Sequence, residues 1–310
     1  MEQWLRKCNL VIGDNGNGVD VSNLRITFTV KKTSVQTPNE AEIKVYNLAS
    51  DTAAQIQREF SRVILQAGYK DNFAVIFDGT VKQVKSGREN GTDTYLHIMA
   101  SDGDASYNFA VVNTTLAAGS SPSDHINAAA EPMAEHGTTV GHVGDVGGQK
   151  LARGKVMYGN SRDYLRQTAQ SSDSDWSIQD GKLQVVPIRG LLPTQAVLLN
   201  SKSGLIGTPE QTNDGIKVRA LLNPMLKIGG RIIVNNKDIE LATISENKTT
   251  KTGEKKQPAD KPATIADDGA YKVIKVEYTG DTRGNDWYCD MIAIDIDETA
   301  PTGEEVKSGS

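Results

Sequence analysis

"TPNEAEIKVYNLAS", residues 37–50, sets the reading of the chain. Ala41, Ile43 and Val45 alternate with Glu40, Glu42 and Lys44, the period of a half-buried β-strand. Pro38 and Asn39 form a turn that launches the strand, and Asn47 stops it. Upstream, "LRITFTVKKT" (24–33) alternates in the same way, with Leu24, Ile26, Phe28 and Val30 on one face. The two segments therefore read as neighbouring antiparallel strands. Downstream, "SDTAAQIQREFS" (50–61) has a helix start at Ser50 or Asp51 and places Ile56 and Phe60 one turn apart.

The pattern continues on both sides. "LRKCNLVI" (5–12) is a first strand, followed by a glycine-rich turn, "GDNGNGVDVSN". "RVILQAGY" (62–69), "FAVIFDGTVKQVKSGREN" (73–90) and "DTYLHIMASDG" (93–103) are strands, the last two joined at an Asn-Gly hairpin signal. Residues 1–105 thus form one compact β domain of roughly seven strands and one helix. Between 106 and 190 the character changes to a small α+β domain. A helix begins at Ser121 or Ser123, a second is capped by Ser161 with Tyr164, Leu165 and Ala169 on its apolar face, and a hairpin turns at Asp180–Gly181. Residues 191–310 return to β, with strands near 215–222, 229–236, 270–281 and 286–296. A polar insertion, 246–268, and the C-terminal tail are too poor in apolar residues to order themselves and are expected to be mobile. The expected fold is mainly β, with two antiparallel barrel or sandwich domains flanking a small mixed domain.

Composition narrows the function. The 310 residues carry a formal net charge of -5, against nucleic acid as the main partner, because phosphate binding needs clustered Lys and Arg. The Lys-dense stretch 247–262 is interleaved with Thr, Gly and Pro and reads as a solvated loop. Cys8 and Cys289 are the only cysteines and read as reduced thiols of a protein assembled in a cytoplasm. The opening residues run out of apolar character too soon for a signal peptide, and no run approaches the 18 apolar residues of a membrane span.

Chemistry is sparse. His136, His142 and Asp145 lie close in sequence but match no zinc spacing. His97 sits in an alternating strand. Asp14, Asn15, Asn17 and Asp20 could donate oxygens to calcium, but the terminal Glu and helical flanks of such a loop are missing. The carboxylate pairs Asp102/Asp104, Asp173/Asp175 and Asp295/Asp297 have the spacing of any acidic chain. Catalytic serine and metalloprotease motifs are absent, and no catalytic, cofactor-binding or metal-ligating residue is assigned. Trp4, Trp176 and Trp287 are expected in or near the core, against a carbohydrate-binding surface.

In order along the chain, these signals resemble the baseplate hub proteins of tailed bacteriophages. "LRITFTVKKTSVQTPNEAEIKVYNLAS", "ILQAGY", "VIFDGTV" and "YLHIMASDGD" are similar to that family's first domain. "YLRQTAQSSDSDWSIQDGKLQVVP" resembles its small domain, where a helix leads to a Trp-containing hairpin with an Asp-Gly turn. "YKVIKVEYTGDTRGNDWYCDMIAI" resembles its final strands, with Tyr278 where a His often precedes the Gly-Asp turn. The resemblance implies a trimeric ring at the end of the tail tube, in a virion assembled in the host cytoplasm. Its two tube-like antiparallel β-barrel domains per subunit would meet a sixfold tube protein on one side. The threefold central spike would sit on the other, with further baseplate proteins around the ring. It also implies a DNA conduit, for which an acidic lining would suit a passing duplex. Other readings are a distal tail or tube protein, or a tail-associated cell-wall hydrolase.

Overall fold

The computed structural model describes residues 5–14, 17–212, 214–234 and 269–296. Strands β3 (Ile26–Thr33) and β4 (Glu40–Tyr46) are antiparallel neighbours, with Phe28 opposite Ile43 and Val30 opposite Ala41. Ile26, Phe28, Val30, Ala41, Ile43 and Val45 are buried, while Glu40 and Glu42 face outward. The alternation read from the sequence is thus the alternation of the fold.

Around this pair the first segment contains β1 (Arg6–Asp14), β2 (Asn17–Asp20), α1 (Ser50–Glu59), β5 (Arg62–Tyr69), β6 (Asn72–Glu89) and β7 (Asp93–Ser101). The β6–β7 hairpin turns at Asn90 and Gly91, both left-handed, with φ of 52° and 77°. The glycine-rich stretch after β1 is not merely a turn. β1 runs on to Asp14 and β2 pairs back onto it, because Gly13 and Gly18 let the two backbones approach.

The last segment supplies β13 (Val197–Leu199), β14 (Leu205–Thr212), β15 (Gly215–Leu221), β16 (Arg231–Val234), β17 (Ala270–Asp281) and β18 (Trp287–Asp295). The polar insertion 246–268 and the tail from 297 lie outside the described residues. β17 branches. Its first residues pair with β16, a bulge intervenes between Val273 and Lys275, and Lys275–Asp281 then pair with Thr33–Thr27 of β3. Both β segments therefore belong to one 13-stranded sheet, ordered β14-β15-β18-β17-β3-β4-β7-β6-β5-β1-β2, and share one hydrophobic core.

The fold is mainly β with a small mixed unit, as expected, but among the described residues no barrel closes. The two ends of the sheet are poor partners for pairing: β14 carries Pro209 and a register break between Ile206 and Glu210, and β2 has four residues. Such features blunt a sheet edge.

The middle of the chain packs a second core around Ile126, Met157, Leu165, Trp176 and Leu183. It comprises α2 (Asp104–Phe109), β8 (Val111–Leu116), α3 (Pro122–Ala130), a 3₁₀ turn (Glu131–His136), β9 (Thr139–Val143), β10 (Lys155–Asn160), α4 (Ser161–Ser171), β11 (Ser174–Gln179) and β12 (Lys182–Pro187). Ser121 caps α3 in a reciprocal capping box with Asp124. Ser161 does not cap α4: Asn160 is the cap residue, without a side-chain bond, and Ser161 is buried inside the first turn. β8 and β10 form a separate two-stranded ribbon, and β11-β12-β9 a three-stranded sheet.

Candidate functional site

Asn39 of the opening stretch is the first of several motif residues that meet where the small unit touches the large sheet. It is buried, and its side-chain oxygen accepts from Thr33 N at 2.9 Å. Its amide nitrogen donates to Ile178 O at 2.8 Å and Gln179 Oε1 at 3.0 Å. The Pro-Asn connection is therefore a dock for the β11–β12 hairpin as well as a turn.

Asp102, from "SDGD", continues the contact. Its side chain is fully buried, and its two oxygens accept from Asp180 N at 2.5 Å and Gly181 N at 2.9 Å. Asp180 and Gly181 have φ of 55° and 72°, so their N–H groups project from the hairpin tip towards one acceptor. Gly103 makes the close approach possible. At φ 69° it lies so near Ile178 that a Cβ would come within 2.6 Å of that side chain.

Asp180 then joins three parts of the chain. Its carboxylate meets Lys32 Nζ of β3 at 2.5 Å and Lys227 Nζ, from the loop before β16, at 3.3 Å. Lys227 also donates to Val75 O at 3.2 Å. Burial pushes the Asp180 carboxyl up, but Lys32 and Lys227 outweigh it and hold the group below its ordinary value. Burial dominates at Asp102, raising its carboxyl to about 6 despite Lys32 and the two backbone donors. Lys272 makes a further tie, donating to Pro187 O and Ile188 O at 2.9 and 3.0 Å; burial lowers it to about 8.

A second set of motif residues ties the β17–β18 turn to the first strands. In "GDTRG", Asp281 accepts from Arg25 at 2.8 Å and from Arg283 N at 2.9 Å. Thr282 N donates to Ile26 O and Thr282 Oγ1 accepts from Ile26 N. Arg6 donates to Gly284 O and Asn285 O and covers the Trp287 ring. This loop clasps the last strands to the first.

The junction is built for holding rather than for chemistry. Lys32, Asn39 and Asp102 are each less than a twentieth exposed, so a substrate has no path to them, and both Asp102 oxygens already accept hydrogen bonds. Elsewhere, Asp104 pairs with Lys82 at 2.8 Å, and burial raises Asp175, which sits near Lys272. Asp295 ends β18, and Asp297 is outside the described residues. His136 and Asp145 are exposed, His142 is half-buried, and among the described residues no group of three His, Cys, Asp or Glu is placed to hold a metal. Asp20 accepts from the Ser22 backbone and hydroxyl, which uses one candidate calcium donor locally. Cys8 and Cys289 are free thiols, both pushed up to about 12 by burial. Trp176 and Trp287 are core residues; Trp4 lies outside the described residues.

One arrangement the sequence reading missed is Ser120 Oγ, 3.1 Å from His125 Nε2. Its five-residue spacing across a helix start hides it among ordinary capping residues. Asp124, the nearby carboxylate, is committed to the Ser121 capping box, so the pair lacks the orienting acid of a catalytic triad.

A family profile described as Baseplate hub gp41 matches residues 7–237, the span that contains Asn39, Asp102 and Asp180. The chain belongs to the baseplate hub gp41 family. It is a structural component of a phage tail baseplate, and so of the virion. No curated protein sequence matches the chain. Among solved structures, it is similar to a tail protein from Neisseria meningitidis MC58 at 8% identity and TM-score 0.58, covering 94% of this chain and 97% of that one. The 43 kDa tail protein of prophage MuSo2 from Shewanella oneidensis follows at 7% identity and TM-score 0.57, covering 94% and 98%. The E. coli c3393 protein, a type VI secretion component described as structurally similar to T4 tail proteins gp27 and gp5, gives 10% identity and TM-score 0.53, covering 94% and 79%. At these identities the likeness is one of fold.

Proposed function

We propose that three copies of this hub protein form a ring that adapts a sixfold tail tube protein to a threefold central spike, and that the ring is part of the DNA conduit. The observation that carries this reading is the β17–β3 splice, which sets two β units side by side in one sheet. Two such units per chain give six around a threefold axis. Residues 1–105 and 191–310 are the tube-facing units, and residues 106–190, with their own core, are the unit held against them by the Asp180 junction. The similarity of the c3393 fold, described in terms of T4 gp27 and gp5, supports the same reading.

The outward face of the sheet suits a conduit. Across neighbouring strands its register runs Arg219, Asp290, Glu277, Lys31, Glu40, so every cation in that row lies beside a carboxylate. A duplex sliding along that row meets no cation without a carboxylate beside it. The protein acts without catalysis, by geometry and surface.

Native mass spectrometry and electron microscopy of the protein with its tube protein test the ring. The expected particle has three times the 33.4 kDa chain mass, with sixfold density on the tube face. A ring of six copies would instead select a distal tail or tube protein. Lysis of cell-wall substrate in a zymogram would select a hydrolase.

A further inference from the structure

The two hydrophobic cores share no residue. One draws on residues 8–100 and 197–293, the other on 107–185. No strand ladder crosses between them among the described residues, because β8–β10 and β11-β12-β9 pair only among themselves. Backbone-to-backbone bonds between the small unit, α2 to β12, and the rest are confined, among the described residues, to the turns at Gly103 and Gly190, where the chain enters and leaves. Side chains make the joint.

Those side chains are mostly polar. At the hairpin tip, Lys32, Asn39, Asp102 and Lys227 hold Asp180, Gly181 and the end of β11, and Gln179 Nε2 donates back to Thr33 O at 2.8 Å. Lys272 holds Pro187 O and Ile188 O at the far end of β12, about 20 Å away at the rise of a strand. Arg166 of α4 donates to Gln36 Oε1 at 2.9 Å. Where apolar side chains do meet the joint, Ile178 on Gly103 and Val186 beside Gly229, a glycine faces them.

Such a joint differs from a core in what separation costs. Parting two apolar surfaces wets both, whereas parting these groups returns each to water and recovers its desolvation. Lys32, Asn39, Asp102 and Lys272 are each less than a twentieth exposed. Burial pushes Asp102 up to about 6 and Lys272 down to about 8, so at neutral pH the closed joint holds both as charges against their burial. The contacts also depend on one another. Asp180 binds two lysines through its carboxylate and Asp102 through its N–H, so losing one contact leaves the others unpaired. Fully closed and fully open are the two satisfied arrangements.

We propose that the small unit is a hinged body that undocks whole from the sheet, pivoting at Gly103 and at residues 187–192, with both cores intact. The closed form is the resting state. In the open form Lys32, Asn39, Asp102 and Lys272 face water together, as does the hairpin tip. Every one of these residues is buried inside one chain, so the motion does not rest on the ring.

Acetylation by acetic anhydride at fixed pH, read by mass spectrometry, reports how often Lys32 and Lys272 reach solvent. Asp180→Asn removes the counter-charge of Lys32 but keeps the turn, because asparagine tolerates the left-handed backbone that φ 55° requires. In this variant Lys272 should be acetylated about tenfold faster or more, although its own bonds go to Pro187 O and Ile188 O. Amide exchange in the β3–β4 and β11–β12 ladders should stay within about twofold of the wild type. Asn39→Ala leaves every charge in place and should speed both lysines in the same direction. Faster Lys32 with unchanged Lys272 means that the tip frays alone, and overturns the proposal. So does a loss of protection in either ladder that matches the gain at Lys272, since opening would then be unfolding. No gain at either lysine in either variant overturns it as well.

Discussion

The two places where motif residues tie distant segments together use the same chemistry in different solvents. At the Asp180 junction, Lys32 is 4% exposed and Asp180 18%; at the Asp281 clasp, Arg25 is 44% exposed and Asp281 12%. Each has a turn aspartate that accepts from a cation. In the junction, water cannot replace a lost partner, so each group depends on the others. In the clasp, Arg25 reaches solvent and the backbone bonds of Thr282 share the load. Like contacts should therefore differ severalfold in what they contribute to stability.

The largest effect should follow Asp180→Ala. It leaves Lys32 buried without its counter-charge and releases Lys227, at a cost of about 3–5 kcal/mol. Urea unfolding measures it. Adding Lys32→Met, which removes the stranded charge, should recover more than half; no recovery would mean that the ion pair is not what holds the junction. Gly103→Ala comes next, at about 2–3 kcal/mol, because it combines a left-handed backbone with the approach to Ile178. Gly119→Ala is the comparison: φ is 90° but nothing lies within 4 Å of the added Cβ, so only the backbone cost of about 1 kcal/mol applies. Equal losses at the two glycines would deny the tight contact.

The fold was largely legible because its strands alternate. Ala41, Ile43 and Val45 face the core as the period demands, and the Asn90–Gly91 and Asp180–Gly181 turns lie where the dipeptides place them. What stayed hidden depends on sequence-distant pairing. Nothing local in "YKVIKVEYTGD" says that Lys275–Asp281 will pair with β3, so one shared sheet could not be told from two barrels. β14 escaped notice because Pro209 and Gly207 interrupt its pattern, and α2 because it has only six residues. Asn39, Asp102 and Asp180 were each visible as turn residues. That they form one junction is a property of packing, and no spacing along the chain encodes it.

Between pH 7 and pH 5 the junction predicts a pH signature that the clasp lacks, since at Asp281 burial is outweighed by Arg25 and the backbone donors, which hold its carboxyl below the ordinary value. Asp102 has its folded value raised to about 6, so the folded chain holds that proton more tightly than the unfolded one. Its contribution is fully present below the unfolded value, near pH 4, and is lost as pH rises through 6. Asp180 runs the other way: its folded value is lowered, so its contribution persists above pH 4 and is lost in stronger acid. Between pH 7 and pH 5, the wild type should gain about 1 kcal/mol relative to Asp102→Asn. Unfolding curves at the two pH values give the difference. A constant gap would mean that Asp102 is not desolvated as its burial requires.

The smallest effect belongs to the clasp. Asp281→Asn keeps an oxygen to accept from Arg283 N, and the Thr282 bonds to Ile26 are untouched, so the turn keeps its shape. What is lost is the charge facing Arg25, which the exposure of that arginine makes worth about 0.5–1 kcal/mol. Salt separates this loss from the one at the junction. In 1 M NaCl, where the screening length is about 3 Å, the Asp281→Asn loss should fall towards zero while the Asp180→Ala loss persists. If the two losses shrink together, the junction is open to solvent in solution. The hairpin tip would then be a mobile contact, and the small unit would be free to shift against the sheet.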